Sequence, residues 1–492
     1  MKKLLSVALI VCGIFIFAGC SSEIRLQNNL TSYTIDLQLD VEQHTVTAKQ
    51  TVDYINKEDI VLKNIKFHLY PNAFRAESKA SVVSVSNEVK AYPNGKSFGD
   101  ISISLVKLEN NDANYEICGQ DYNILNVNLN KDLYPNDRIE IYIEYKVKLA
   151  NINHRLGYGE NAINLCNFYP VACVYEDGDF VCDLYNQNGD PFYSEVADYF
   201  VTIQYPESYT VASSGYQTKV DKTEQTLCST LQAKCIRDFA IVLSNKFENK
   251  NCVYNQNVNI NYYYYGDKTP DKTMDLINQT LAFFEQKIGE YPYSTLTVTE
   301  TNFVHGGMEY PNIVLISDCL ADYESYQMVV IHEICHQWWY GVVGNNQYKY
   351  GWIDEGLTEF CTLYFYENHQ EYNKTIDGLV QSATNSYTTF MKVYKDVLGS
   401  VDTSMNRALD QFNTEPEYVY NTYVKGMLMF ATIYEIVGQK SFDKALKYYY
   451  KQNVFQTVTP ERVIKCFSKG SGKNLENLFN SWLDGEVVIL NK

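Results

Sequence analysis

Proline and glycine are scarce in this 492-residue chain, at 11 and 25 residues, which excludes a fibrous or low-complexity protein. Basic residues are in deficit too: 41 Lys and Arg stand against 59 Asp and Glu, a formal charge of −18. Phosphate backbones and anionic lipid surfaces are gripped by clustered Lys and Arg. The balance therefore argues against nucleic-acid partners and against electrostatic docking on a membrane. The 13 cysteines include no C-x-x-C pair, so neither a disulfide scaffold nor a structural zinc site is indicated. Cys166, Cys173 and Cys182 are close enough in sequence to pair, but the default expectation is small, buried, apolar cysteines. What the chain has in quantity is apolar and aromatic: 46% hydrophobic and 14% aromatic, with 43 Tyr. Such a chain folds. Its length exceeds what one core organises, so at least two domains are expected.

The chain also lacks an apolar run long enough to span a bilayer. Met1-Lys2-Lys3 precedes an almost unbroken apolar stretch from Leu4 to Ala18, the length of a signal-peptide core. It ends in Phe17-Ala18-Gly19-Cys20, which resembles a bacterial lipobox with Phe17 where Leu is usual. Residues 1–19 are thus read as a lipoprotein signal peptide and Cys20 as the lipid anchor. The expected location is the extracytoplasmic face of a bacterial membrane.

Two halves differ in periodicity. Residues 20–247 read as an all-β, antiparallel domain, a sandwich or saddle. Ser32 to Val41 and Asp137 to Tyr145 alternate at period two, with Asn, Asp, Gly and Ser clusters between strands. Residues 248–492 begin with short strands and a helix, then become mostly helical from Tyr326 onward. The expected fold class is α+β and multidomain.

The strongest chemical signal is His332-Glu333-Ile334-Cys335-His336. On a helix, positions i and i+4 share a face, so both imidazoles reach one zinc ion. Met328 to Ile331 and Trp338-Trp339 are expected to bury the flanks of that helix. Only 7 histidines occur in the chain, so two at this spacing around a glutamate are not readily a surface accident. Glu355 follows within Trp352-Ile353-Asp354-Glu355-Gly356, at the start of the next expected helix, and supplies a third ligand. Two histidines and a carboxylate with one open position describe a catalytic zinc, one per chain.

These residues resemble the aminopeptidase N-like zinc metallopeptidases, a gluzincin family. His305-Gly306-Gly307-Met308-Glu309-Tyr310 is similar to the family's G-x-M-E-N loop, with Tyr310 in place of Asn. Tyr423-Val424-Lys425-Gly426 is similar to its Y-x-K-G segment. His68 to Arg75 and Arg237 to Ala240 resemble family segments in the β half. The resemblance implies a thermolysin-like peptidase domain behind an N-terminal β domain, in a short two-domain bacterial lipoprotein member. It implies that His332, His336 and Glu355 hold zinc, that Glu333 is the general base, and that Tyr423 donates to the oxyanion. It implies that Glu309 binds the free α-ammonium, with Gly307 and Met308 lining the substrate. A second amine-binding group is expected from the β half, near Glu160. Little chain follows Gly426, so a large helical C-terminal domain is not expected and the cleft should be open. The implied activity is removal of N-terminal residues from peptides. The alternatives are a surface endopeptidase with relaxed N-terminal selection, and a non-catalytic peptide-binding lipoprotein.

Overall fold

The computed structural model describes residues 25–487. The predicted signal segment and the Cys20 anchor lie outside the described residues. Strands dominate up to Tyr264, and helices dominate after Tyr323.

The β half is built on an eight-stranded sheet. Ser32–Asp40 shows why these residues choose a strand: Tyr33, Ile35, Leu37 and Leu39 are buried, and the residues between them face outward. Each such side chain contributes about 1.5–3 kcal/mol when fully buried. Two four-stranded sheets, one holding Leu62–His68 and Ile124–Leu133, the other Ile163–Leu165 and Ile241–Ser244, and a two-stranded sheet of Tyr175–Glu176 and Asp179–Phe180 join it. The Tyr33 hydroxyl accepts from the Ala172 amide at 3.1 Å, tying the large sheet to the first of these.

The expectation of a purely antiparallel half needs correction. Ser32–Asp40 runs antiparallel to Thr45–Ile55 on one side but parallel to Ala197–Pro206 on the other, with Ser32 opposite Asp198. A parallel pair needs a long crossover. Here the chain leaves the large sheet after Arg138–Lys148, passes through the smaller sheets, and returns at Ala197.

The second half opens with a five-stranded sheet in the order Glu248–Tyr254, Val258–Tyr264, Thr295–Thr301, Ile313–Ser317, Gly307–Met308. Gly307–Met308 is the antiparallel edge strand, with Gly307 opposite Ile316. Three helices carry the site: Tyr323–Cys335, Glu355–Asn368 and Lys425–Val437.

Arg237 clamps the halves together. It is 1% exposed, and it donates to the carbonyls of Ser194 (3.0 Å), Tyr340 (3.0 Å) and Gln456 (2.9 Å). The Tyr340 hydroxyl in turn donates to Asp238 at 2.5 Å. A buried guanidinium requires this degree of satisfaction. That accounts for the Arg237-Asp238 segment in structural terms.

Candidate active site

His332 and His336 come from the end of one helix. Asp322 caps its start, accepting from the Ser325 amide at 2.7 Å. The regular helix stops at Cys335, yet His336 keeps helical angles (φ −61°, ψ −14°), so the two imidazoles still share a face. Trp338 and Trp339 are buried beyond the helix end, as expected of the flanks, but Met328 is 43% exposed and lines the cavity instead.

Three donor atoms converge. His332 Nε2 and His336 Nε2 are 3.0 Å apart, and Glu355 Oε2 lies 3.2 Å from each. Ligands at about 2.0–2.1 Å around a tetrahedral zinc stand about 3.3–3.4 Å from one another. The cluster therefore fits the ion. The atoms behind it fit too. His336 Nδ1 donates to the Trp339 carbonyl at 2.9 Å, which leaves the Nε2 lone pair facing inward. Glu359 Oε1 stands 3.6 Å behind His332 Nδ1.

Glu333 lines the same cavity, 5% exposed, and its Oε2 has no hydrogen-bond partner. Burial pushes its carboxyl well above the usual range, and the nearby Glu309 adds to the rise. Tyr423 sits in a single π-helical turn, Tyr420–Val424, a local irregularity often found at functional sites. Its hydroxyl donates to Glu355 Oε1 at 2.5 Å, and its ring lies near-parallel to His332 at 6.2 Å.

The edge strand Gly307–Met308 leads directly into Glu309, and side chains along this segment alternate in direction. Gly307 and Glu309 face the cavity. Met308 does not: it is 1% exposed and packed in the core, which corrects its expected place against substrate. Tyr310 also turns away, its hydroxyl donating to Asn167 of the β half at 2.5 Å. His305 is at the cavity wall, edge-on to Phe303 and His154.

Gln347 donates to Glu309 Oε1 at 2.7 Å, so the second Glu309 oxygen is uncommitted in this contact. Asp190 completes the arrangement. Ligand-type oxygens of Asp190, Glu309 and Glu355 lie within 4.8 Å of one another. Asp190 pairs with buried Arg155 at 2.8 Å. Burial pushes Asp190 up to about 8, with Glu309 raising it further and Arg155 opposing. Burial likewise pushes Glu309 up to about 7. Crowded, buried carboxylates of this kind call for cations between them.

Glu160 is not part of the site. Its side chain is 88% exposed and faces Lys246 at 3.8 Å. The β-half acid in the cavity is Asp190, delivered by the Asn188-Gly189-Asp190-Pro191 turn. Gly189 has φ +57°, and a side chain there would collide with the Tyr418 hydroxyl. Nothing in the spacing of the sequence marks Asp190, Arg155 or Gln347 as partners of the zinc motif.

Comparisons with known proteins agree with this geometry. The profile of the peptidase family M1 domain matches residues 272–482. Aminopeptidase B of Rattus norvegicus is 27% identical over 227 residues, which cover 42% of this chain and 34% of that protein. Leucine aminopeptidase 2 of Saccharomyces cerevisiae is 24% identical over 182 residues, covering 34% of this chain and 25% of that protein. The chain thus spans about a third or less of the length of these curated relatives. The M1 zinc metallopeptidase of Deinococcus radiodurans shares the fold, with a TM-score of 0.68, 15% identity, and coverage of 95% of this chain and 96% of that one. A mutant of that enzyme bound to a Tyr-Ser-Ala substrate superposes with a TM-score of 0.67, 14% identity, and coverage of 94% and 95%. Residues 272–482 thus match the peptidase family M1 domain, and the His332–His336–Glu355 cluster that can hold zinc lies within that match.

Proposed function

We propose that this protein is a zinc-dependent aminopeptidase that removes single residues from peptides with free N-termini. One observation carries the reading: buried Glu309 and Asp190 place carboxylate oxygens within 4.8 Å of the zinc ligand Glu355. An α-ammonium held between them leaves room for about one residue before the metal. A peptide extended past that point meets the buried wall instead.

His332, His336 and Glu355 would hold a zinc ion, which would supply Lewis acidity toward the scissile carbonyl and toward a bound water. Glu333, whose Oε2 is free, takes the proton of that water and returns it to the departing nitrogen. Its raised affinity for protons suits the second step. Tyr423, held beside Glu355, donates its hydroxyl to the developing oxyanion. Glu309 and Asp190 orient the substrate and hold its charge.

The test is a panel of amino-acyl reporters and their N-acetylated counterparts, with and without chelator, on wild type and Glu333→Gln. Free reporters should be cleaved, blocked ones spared, and both chelator and substitution should abolish turnover. Equal cleavage of blocked and free peptides would replace the reading with an endopeptidase of relaxed end selection. Protein without about one zinc per chain would leave a non-catalytic binding role.

Anchoring by lipid on Cys20, on the extracytoplasmic side, is part of the same proposal. It rests on Lys2-Lys3, the apolar Leu4 to Ala18 and the small residues before Cys20. Cys20→Ser should release the protein from the membrane fraction. If wild type fractionates as soluble, the anchoring proposal fails while the peptidase reading stands.

A further inference from the structure

Two cysteines of the β half, Cys173 and Cys182, face each other at the base of a small hairpin, away from the zinc cavity. Both carry free thiols. Tyr175 pairs with Phe180 and Glu176 with Asp179 across a two-residue turn, Asp177-Gly178, with φ +53° and +94°. The Val181 amide donates to the Val174 carbonyl at 2.8 Å, while the Cys173 amide turns away to the Lys66 carbonyl at 2.9 Å. That register sets Cys173 opposite Cys182 at a non-hydrogen-bonded position, where facing Cα atoms stand about 4.5 Å apart. The separation is within disulfide range. The side chains already meet, the Cys173 thiol donating to the Cys182 sulfur.

The two thiols differ in kind. Cys173 is 3% exposed, and burial holds its thiol well above the usual range. Cys182 is half-buried. The hydrogen bond from Cys173, helped by the Lys66 ammonium and opposed by burial, holds the Cys182 thiol below its ordinary value. Lys66 is itself fixed against the hairpin, 3.1 Å from Asp179 and over the Phe180 ring. An accessible, acidified thiol beside a buried partner is the arrangement of a nucleophile and its resolving group.

The hairpin is also a strap across the seam between the halves. Glu176 accepts from the Tyr193 hydroxyl, and its Oε2 stands 3.6 Å from Lys349 Nζ. Lys349 belongs to the short helix Gln347–Tyr350, whose Gln347 holds Glu309, and Tyr193 follows Asp190 by three residues. Fixing the base of the hairpin therefore fixes a contact that runs to both sides of the cavity.

We propose that Cys182 and Cys173 form a thiol–disulfide exchange site, closed by small disulfides such as oxidised glutathione, and that closure locks this hairpin. The Cys182 thiolate attacks one sulfur of the small disulfide, whose S–S bond breaks and releases one small thiol. Cys173 then attacks the Cys182 sulfur of the mixed disulfide and displaces the second small thiol. The two cysteine protons end on the two released thiols, so the protein pair is oxidised and one small disulfide is reduced. The proposal does not depend on the aminopeptidase reading, and the failure of either leaves the other standing.

Incubation of the purified protein with oxidised glutathione should lower its intact mass by about 2 Da. Cleavage after Glu176 should then yield one peptide pair joined through Cys173 and Cys182. Cys173→Ser should stop at a stable glutathione adduct on Cys182, and Cys182→Ser should leave Cys173 unmodified. Hydrogen exchange of the backbone amides of residues 174–181 should slow on closure. Full alkylation of both thiols after the incubation would overturn the exchange site, and so would a bond from either one to Cys166. The wild-type mass and peptide map decide this even if a variant does not fold. Unchanged hydrogen exchange in the closed form would overturn the lock.

Discussion

Glycine at position 307 should be required by the neighbouring catalytic base rather than by the backbone. Gly307 has no left-handed φ, so alanine fits its conformation. Space is what fails. A methyl group there would sit 2.4 Å from Glu333 Oε1 and 2.6 Å from its Cδ and Cγ. Non-bonded contacts of this type settle at about 3.5–4.0 Å, so the carboxylate must retreat by about 1 Å. A displacement of that size in a catalytic group lowers the rate about 10²-fold, equivalent to about 2.7 kcal/mol. Gly307→Ala should therefore lose about two orders of magnitude in kcat/KM on amino-acyl reporters while keeping its zinc, because His332, His336 and Glu355 are untouched. Gly306→Ala is the control. Its methyl meets only Val329 Cγ2 at 3.3 Å, so a few tenths of an ångström relieve it. If Gly307→Ala retains more than about a third of wild-type kcat/KM with full zinc, the contact does not position Glu333 and the reasoning is refuted.

Five further outcomes are expected. Tyr423→Phe should lower kcat about 10²- to 10³-fold with little change in KM or zinc content, and an unaltered kcat would remove Tyr423 from the oxyanion site. Glu160→Gln should stay within about twofold of wild type, since its side chain is 88% exposed and outside the cavity. Asp190→Asn should raise KM at least about tenfold and lower stability by about 3–5 kcal/mol in melts, because buried Arg155 loses its counter-charge. Gly426→Ala should destabilise by about 1–3 kcal/mol, its methyl lying 2.8 Å from Gly356 Cα, and an unchanged melting temperature would contradict that contact. Burial brings Lys425 down to about 8 from 10.5. Between those values the unfolded chain binds the extra proton, so wild-type stability relative to Lys425→Met should rise with pH across that window. A stability difference that is flat over pH 8 to 10.5 in denaturant titrations would show that burial does not perturb Lys425.

The segments that resemble family motifs divide by physical role once they are placed. In Tyr423-Val424-Lys425-Gly426, only Tyr423 reaches the cavity. Lys425 donates to the carbonyls of Thr403 (2.5 Å) and Trp482 (3.0 Å), pinning its helix to the Glu476–Leu483 helix. Gly426 lets that helix touch the Glu355 helix backbone to backbone, which brings the tyrosine and the ligand together. The His305 to Tyr310 loop divides in the same way, by the alternation of a strand. Cys335, between the ligand histidines in sequence, is fully buried packing.

The zinc centre was legible in the amino-acid sequence alone because its geometry is local. A 3.6-residue helix stacks His332 over His336 wherever it folds, and Glu355 needs only a short excursion to return. The strand and helix halves were legible for the same reason, since periods of two and 3.6 are set within a few residues. The second amine-site carboxylate, the turning away of Met308 and Tyr310, the parallel pairing of Ser32–Asp40 and the contact of Gly356 with Gly426 were decided by tertiary structure. Each joins residues separated by tens to hundreds of positions. Such a meeting leaves no periodicity behind, and only close packing of the two halves determines which acid faces the zinc and which faces water.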